Sequence, residues 1–100
     1  MRLPIRYRDF YDIPRAFVVE FRDQTYFFDC RFNPEIDDYQ EAYEVYLVPA
    51  DLRPNIDDIS WTDLGNRCLR VGAVPTGAVE FDDSKRKSIA ARAFDLLGGI

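Results

Sequence analysis

The sequence predicts a mainly β domain of the α+β class, in which a small antiparallel sheet or barrel of about five strands carries a C-terminal α-helix. Three observations lead to this prediction. Short runs of alternating apolar and polar residues recur along the chain, prolines separate these runs, and the apolar spacing becomes helical only after Ser84. Strands do not alternate with helices, which argues against a parallel sheet. A chain of 100 residues suits one domain over residues 1–100.

A β-hairpin over residues 15–32 is the clearest predicted element. Two runs of strand-forming residues flank the polar pair Asp23-Gln24, as expected for antiparallel strands joined by a short turn. The residues expected to share the core-facing side are Phe17, Val19, Phe21, Tyr26, Phe28, Cys30 and Phe32. Because the turn lacks the favoured Asn-Gly or Asp-Gly pair, its type stays open.

Further strands are predicted on both sides of this hairpin, at residues 5–8, 43–48, 69–73 and 79–81. The first of them is expected at the edge of the sheet, and Leu69 and Val71 are expected to face the core. The last two strands and the short turn Pro75-Thr76-Gly77 between them resemble the end of SH3-like small barrels. This resemblance implies a barrel but no function. An open sheet of four or five strands with the helix over one face fits the pattern nearly as well.

A C-terminal α-helix is predicted over about residues 84–97. The apolar residues that recur there at helical spacing are Ile89, Ala93, Leu96 and Leu97. The polar residues 82–84 can cap the start of this helix, and Gly98 stands where a glycine ends one. A shorter helical turn is predicted at residues 60–64, before Gly65.

The composition excludes several kinds of active site. Histidine is absent, which removes Ser-His-Asp and Cys-His catalysis and all histidine metal ligands. Two cysteines cannot complete a four-ligand zinc site. No glycine precedes Gly65, and neither a P-loop nor a dinucleotide-binding fingerprint occurs. We therefore expect no catalytic residues, no metal ligands and no cofactor.

The two cysteines, Cys30 and Cys68, are expected to be reduced. Cys30 shares strand parity with core residues, whereas Cys68 shares parity with Arg70 on the opposite face. Side chains on opposite faces of a sheet cannot reach disulfide geometry. Arg67 and Arg70 flank Cys68 and are expected to lower its pKa.

Charge is unevenly distributed along the chain. The net charge is −5, but residues 23–65 contain eleven acidic and only two basic residues. The segments before and after each carry a net charge of +2. A protein of this kind is not expected to bind nucleic acid, because nucleic-acid-binding domains usually present a basic patch. We expect a protein partner, with a basic surface where it meets the acidic segment.

The candidate partner-binding surface lies in two acidic segments. Residues 34–39 and 54–59 resemble each other, since each contains Pro, Ile and a pair of adjacent aspartates. The long loop predicted at residues 33–42 connects two well-patterned strands, where binding residues usually lie. The candidate residues are Glu35, Asp37, Asp38, Tyr39, Glu41, Asp57, Asp58 and Trp61. A partner, a divalent ion or arginines of the same chain could each relieve the repulsion among these carboxylates.

These observations favour a non-catalytic protein-interaction or accessory module that presents an acidic loop surface. One alternative is a small hydrolase or divalent-metal-dependent enzyme that uses the acidic loops. Another is an acidic inhibitor that mimics nucleic acid. No apolar run is long enough to cross a membrane, and no leader follows Met1, so we expect a cytoplasmic protein that does not bind membranes. A homodimer is compatible with the sequence.

Overall fold

A computed structural model describes residues 1–98 and contains an open, six-stranded antiparallel sheet. The strand order is β7-β6-β3-β2-β1-β8. In chain order these strands are β1 (Arg2–Tyr11), β2 (Ile13–Phe21), β3 (Gln24–Asp29), β6 (Ala42–Val48), β7 (Leu69–Pro75) and β8 (Ser88–Ala90). A separate two-stranded hairpin consists of β4 (Phe32–Asn33) and β5 (Asp38–Tyr39).

Helical structure is confined to short segments. The only α-helix in residues 1–98 is α1 (Trp61–Leu64), and the 3₁₀ helices cover Arg53–Asp58, Gly65–Arg67, Thr76–Ala78 and Ala91–Leu97. The helical turn predicted at residues 60–64 is therefore confirmed. Ser60 is its N-cap residue and Gly65 its C-cap residue.

Both faces of the sheet are buried. The larger core lies on the face covered by the C-terminal segment and contains Leu3, Ile5, Phe17, Val19, Tyr26, Phe28, Cys30, Tyr43, Val45, Val74, Val79, Ile89, Ala93 and Phe94. The smaller core lies on the opposite face, under residues 53–67, and contains Ala16, Val18, Phe27, Val48, Ile56, Trp61 and Leu64. Successive strand residues therefore enter different cores, because their side chains alternate between the two faces.

The predicted hairpin over residues 15–32 is confirmed as β2 and β3. Phe17 lies opposite Phe28 in the ladder, and their rings stack with centroids 4.7 Å apart. The turn falls one residue earlier than predicted, at Arg22 and Asp23, whose φ angles are 51° and 65°. Positive φ at both central residues is characteristic of a type I′ turn, whose twist matches that of the flanking strands.

Of the two predicted forms, the open antiparallel sheet is confirmed and the barrel is wrong, because β7 and β8 form the edges of the sheet. The number of strands is also larger than the predicted five. The strand predicted at residues 5–8 extends over Arg2–Tyr11 and is not at the edge, because β8 pairs with its beginning. The strand predicted at residues 79–81 is absent, and only an isolated bridge joins Phe81 to Ile89.

β7 exists as predicted, and Val71 packs against the larger core as expected, but the expectation for Leu69 is wrong. Leu69 is 66% exposed, whereas Val74 is completely buried. The pairing with β6 shifts between Val45 and Tyr46, which leaves Val71 as an extra residue in β7. Such a bulge reverses the alternation of side chains beyond it, so the even-numbered Val74 enters the larger core.

The predicted C-terminal α-helix over residues 84–97 is wrong. The segment forms a turn, then β8, then the 3₁₀ helix Ala91–Leu97. Its turn is held by Asp82, whose carboxylate accepts hydrogen bonds from the backbone N–H groups of Lys87 and Ser88 at 2.8 and 2.9 Å. Ile89 then pairs with Leu3 as a strand residue. The prediction failed because a spacing of four between Ile89 and Ala93 also fits a strand followed by a 3₁₀ turn.

The C-terminal segment is nevertheless part of the larger core, and the residue that anchors it is Phe94. Phe94 is 3% exposed and stacks on Phe21 with centroids 4.2 Å apart, whereas Leu96 is 55% exposed. We expect Phe94→Ala to lower the free energy of unfolding by about 3–5 kcal/mol. Leu96→Ala, the control, should change it by less than about 0.5 kcal/mol. Urea denaturation measures both, and equal losses would contradict this packing.

The turn held by Asp82 predicts a pH dependence of stability. Hydrogen bonds from Ser84, Lys87 and Ser88 keep the pKa of Asp82 well below its ordinary value. A lowered folded-state pKa stabilises the fold above the unfolded-state pKa, and this contribution is lost as the pH falls below about 4. Asp82→Ala should therefore lower the melting temperature at pH 7, and the difference from the parent protein should shrink at pH 3. A difference that is constant across this range would contradict the prediction.

Candidate functional site

The loop predicted at residues 33–42 contains the β4–β5 hairpin. Phe32 pairs with Tyr39 and Asn33 with Asp38. The Asn33 side chain accepts a hydrogen bond from the Glu35 N–H at 3.0 Å, and Asp37 adopts a φ of 53°. Asparagine and aspartate favour such turns because their short side chains bond to the nearby backbone. We call residues 32–41 the acidic hairpin.

The base of the acidic hairpin is fixed to the sheet through Tyr39. The Arg15 guanidinium lies 4.3 Å from the centre of the Tyr39 ring. Tyr11 stacks on the same ring at 5.6 Å, and Phe32 meets it edge-on at 5.4 Å. The Gln40 N–H also donates to the Arg31 carbonyl at 2.9 Å. Tyr39, predicted as a contact residue, therefore has a structural role at the base of the hairpin.

The acidic hairpin combines exposed apolar and charged side chains, with Phe32 at its base and Ile36 at its tip. Ile36 is 59% exposed and Phe32 is 50% exposed. The predicted acidic residues beside them are all exposed, and none forms an ion pair within residues 1–98: Glu35, Asp37, Asp38 and Glu41. Strand parity had assigned Phe32 to the core, but the β3 ladder ends at Asp29 and Phe32 turns outward.

The second aspartate pair has a different environment. Asp57 belongs to the 3₁₀ helix Arg53–Asp58, and both of its carboxylate oxygens lie 2.7 Å from Arg6 Nη1. Arg8 is the neighbouring cation, with one guanidinium nitrogen 3.9 Å from Asp57 Oδ1. Asp58 is exposed and forms no ion pair among the described residues. Arginines of the same chain thus compensate Asp57, whereas the carboxylates of the acidic hairpin have no such compensation.

Trp61 is mostly buried in the smaller core. It is 7% exposed, its indole N–H donates to the Ile56 carbonyl at 2.9 Å, and its ring meets Phe27 edge-on at 5.7 Å. The Arg8 guanidinium covers the ring at 4.6 Å. These contacts leave little of Trp61 for a partner.

A cleft of about 460 Å³ separates the acidic hairpin from α1. Phe32 lines it on the hairpin side, Trp61 lines it on the helix side, and Asp9 and Asp29 contribute carboxylates. The structure therefore brings together Phe32, which was not predicted as a site residue, and Trp61, which was. Phe32 was missed as a site residue because strand alternation assigned it to the core, although it directly precedes the polar segment that forms the hairpin turn.

The cleft contains no activated nucleophile among the described residues. Burial raises the pKa of Asp29, although Arg31 opposes this effect through a hydrogen bond of 2.7 Å. Burial also raises the pKa of Cys30, whose thiol donates to the Gln40 carbonyl at 3.1 Å. Arg31 in turn donates to the Thr62 carbonyl at 3.2 Å. Asp29 and Arg31 thus connect the end of β3 to α1. The Cys30 thiol remains protonated, and a protonated thiol is a poor nucleophile.

The pKa of Cys68 is raised, whereas the sequence predicted that it would be lowered. Burial raises its pKa, and the opposing influence of Arg67 is smaller. Cys68 packs against the smaller core, whereas Cys30 belongs to the larger core on the other face of the sheet. Both thiols are free in the structure.

Two further properties of the described residues bear on function. Within residues 1–98, no three Cys, Asp or Glu side chains converge closely enough to hold a metal ion. The helices of the same region are all too short or too polar to cross a membrane. The chain matches no protein-family model, no curated protein and no solved structure.

The burial of the thiols predicts their order of reaction. Cys30 is 1% exposed, whereas Cys68 is partly exposed. We expect iodoacetamide to modify Cys68 first and to reach Cys30 only when the protein unfolds, because a buried protonated thiol is unreactive. Peptide mass spectrometry over time measures both rates. Faster modification of Cys30, or an intramolecular loss of two hydrogens under mild oxidation, would contradict the assignment.

Proposed function

We propose that the chain is a non-catalytic protein-binding module whose acidic hairpin contacts a basic surface of a partner protein. The observation that carries this proposal is the combination of exposed apolar and acidic side chains on the acidic hairpin. Ile36 is 59% exposed and Phe32 is 50% exposed. Both lie beside four carboxylates that form no ion pair within residues 1–98.

Binding energy in protein interfaces comes mainly from a few apolar or aromatic residues that become desolvated. Ile36 and Phe32 are suited to this role, because both side chains are exposed to water. The backbone of Phe32 pairs with that of Tyr39, and the Ile36 N–H donates to the Asn33 carbonyl at 3.3 Å. The surrounding carboxylates Glu35, Asp37 and Asp38 form a charged rim. Such a rim speeds the association of a cationic partner and disfavours acidic proteins, and these effects matter more than the added affinity.

The alternative functions have less support. A divalent-metal enzyme requires converging ligands, and residues 1–98 contain no such group of three. A hydrolase needs an activated nucleophile or a free acid–base pair, whereas the cleft holds Asp29 bonded to Arg31 and a protonated Cys30. Mimicry of nucleic acid is best served by an extended row of free carboxylates, and Arg6 already occupies Asp57.

A binding experiment with charge-matched variants tests the proposal. The hairpin variant carries Glu35→Gln, Asp37→Asn and Asp38→Asn. The control carries Asp23→Asn, Asp51→Asn and Asp63→Asn, which remove the same charge from exposed positions elsewhere. Each is used in affinity capture from a native lysate at low and high salt. We expect specific partners to be lost with the hairpin variant and kept with the control, and to weaken with salt. Equal capture by both variants would contradict the proposal.

The two aspartate pairs should also differ in their effect on stability. Asp57→Asn should lower the free energy of unfolding by about 0.2–1 kcal/mol, because it removes an exposed ion pair with Arg6. Asp37→Asn with Asp38→Asn should leave it unchanged or raise it slightly, since like charges are removed. Thermal denaturation of the isolated protein compares them. A clear loss of stability on neutralising Asp37 and Asp38 would indicate that the hairpin charges serve the fold instead of a partner.

A further inference from the structure

Two carboxylates flank an alanine on the floor of the cleft between the acidic hairpin and α1. In the sheet, Asp9 of β1 lies opposite Ala16 of β2, and Ala16 lies opposite Asp29 of β3. All three residues line the cleft. Directly paired residues share a face and neighbouring strands are about 4.8 Å apart, so the Cα atoms of the two aspartates are about 10 Å apart. Only a methyl group lies between their side chains.

Each of these aspartates offers a free acceptor to the cleft. Asp9 is exposed and forms no ion pair within residues 1–98. Asp29 accepts a hydrogen bond from Arg31 through Oδ2, at 2.7 Å. Among the buried and half-buried side chains of residues 1–98, Arg53 Nε is the only N or O atom that is both sealed from water and unbonded. The unbonded Oδ1 of Asp29 is therefore in contact with water.

The two arginines in the wall of the cleft leave these acceptors free, because each guanidinium already donates to two acceptors of the chain. Arg8 donates to two backbone carbonyls, one of them that of Ile59 at 2.9 Å. Arg31 donates to Asp29 and, at 3.2 Å, to the Thr62 carbonyl. The formal charges of the lining cancel, but the carboxylate oxygens described above have no donor. A ligand that donates hydrogen bonds and carries a positive charge complements them.

The like charges at the cleft also favour a cation. Burial is the main cause that raises the pKa of Asp29, and the negative charges of Asp9 and Glu44 raise it further. Glu44 is itself in an ion pair at 2.6 Å, whereas Asp9 has no counter-charge among the described residues. A cation placed over Ala16 would offset this repulsion.

The aromatic rim of the cleft favours arginine among the cations. Phe32 lines the cleft with a ring that is 50% exposed. A guanidinium stacks on aromatic rings and pairs with carboxylates in two-point geometry, whereas an ammonium is a compact and strongly hydrated charge. Two neighbouring rings already carry arginines of this chain, since Arg8 lies 4.6 Å from the centre of the Trp61 ring and Arg15 lies 4.3 Å from that of Tyr39.

We propose that this cleft receives an arginine side chain of the partner protein, whose guanidinium lies over Ala16 between Asp9 and Asp29. The stem of this arginine packs on Phe32. The inference rests on the function proposed above, because the cleft borders the acidic hairpin and Phe32 belongs to both. It adds a defined anchor to that function, since one arginine of the partner becomes desolvated in the cleft while the hairpin tip meets the surrounding basic surface.

Titration of the full-length protein with Nα-acetyl-arginine methylamide, followed by amide and indole chemical shifts, tests this inference. We expect saturable shifts at Asp9, Ala16 and the Trp61 indole, with a dissociation constant on the order of millimolar, because one side chain supplies few contacts. Nα-acetyl-citrulline methylamide, which has nearly the same shape without the charge, should bind about tenfold more weakly. Nα-acetyl-lysine methylamide should bind about threefold more weakly, because an ammonium lacks the two-point geometry.

Charge-matched variants separate binding from folding. Asp9→Asn keeps the shape of the side chain and should weaken binding of the arginine probe about tenfold. It should not lower the melting temperature, because Asp9 has no ion pair to lose within residues 1–98. The control Asp12→Asn removes the same charge from an exposed position outside the cleft lining, and it should bind the probe like the parent.

The inference is overturned if the arginine probe produces no saturable shifts at the cleft, if the citrulline probe binds equally well, or if Asp9→Asn binds like the parent. The lysate capture described above separates these outcomes from a failure of the proposed function. Partners that are lost with the hairpin variant but kept with Asp9→Asn would support the acidic hairpin and overturn the arginine site. Partners that are kept with the hairpin variant but lost with Asp9→Asn would support the arginine site and contradict the function proposed for the hairpin.

Discussion

The structure depends on one constraint, which is that the central β2–β3 hairpin must be covered on both of its faces. Phe17 and Phe28 stack on one face, while Phe27 lies on the other, and all three are completely buried. A chain of 100 residues has little material for two cores. The chain meets this need with two short covering segments, residues 53–67 on one face and the C-terminal residues 76–98 on the other. Neither segment forms a long helix: residues 53–67 contain two 3₁₀ helices and the four-residue α1, and residues 76–98 contain two 3₁₀ helices and β8.

The same constraint positions the acidic hairpin and the cavity beside Arg53. The acidic hairpin leaves the sheet directly after β3 and packs against the larger core through Tyr39 at its base, while its tip side chains remain in water. The cavity at Arg53 arises where the segment 53–58 rests on β1 and β2 without filling the space between Arg53 and Thr25. Arg6 of β1 also lines this cavity, and its guanidinium pairs with Asp57 of the covering segment 53–67.

Much of the sheet was predictable from sequence, because its signal is local. The alternation of apolar and polar residues identified β2, β3 and β6. Ser60 and Gly65, which flank α1, identified that helix. The bulge at Val71 was not predictable, because it depends on pairing with β6. The C-terminal strand was missed because the carboxylate of Asp82 organises the preceding turn through hydrogen bonds to the backbone as far as Ser88. The acidic residues of the hairpin were found from composition, whereas the pairing of Arg6 with Asp57 joins positions 51 residues apart and leaves no local trace.

Native-state hydrogen exchange tests the central claim most directly. If the doubly covered β2–β3 hairpin is the scaffold, the amides of Phe17, Val18, Phe27 and Phe28 should exchange only through global unfolding, with the same free energy as denaturant unfolding. The amides at the tip of the acidic hairpin should exchange through local opening at a much lower free energy, without exposing either core. Exchange of the β3 amides at the rate of the acidic hairpin, or protection of both by one cooperative unit, would contradict this account.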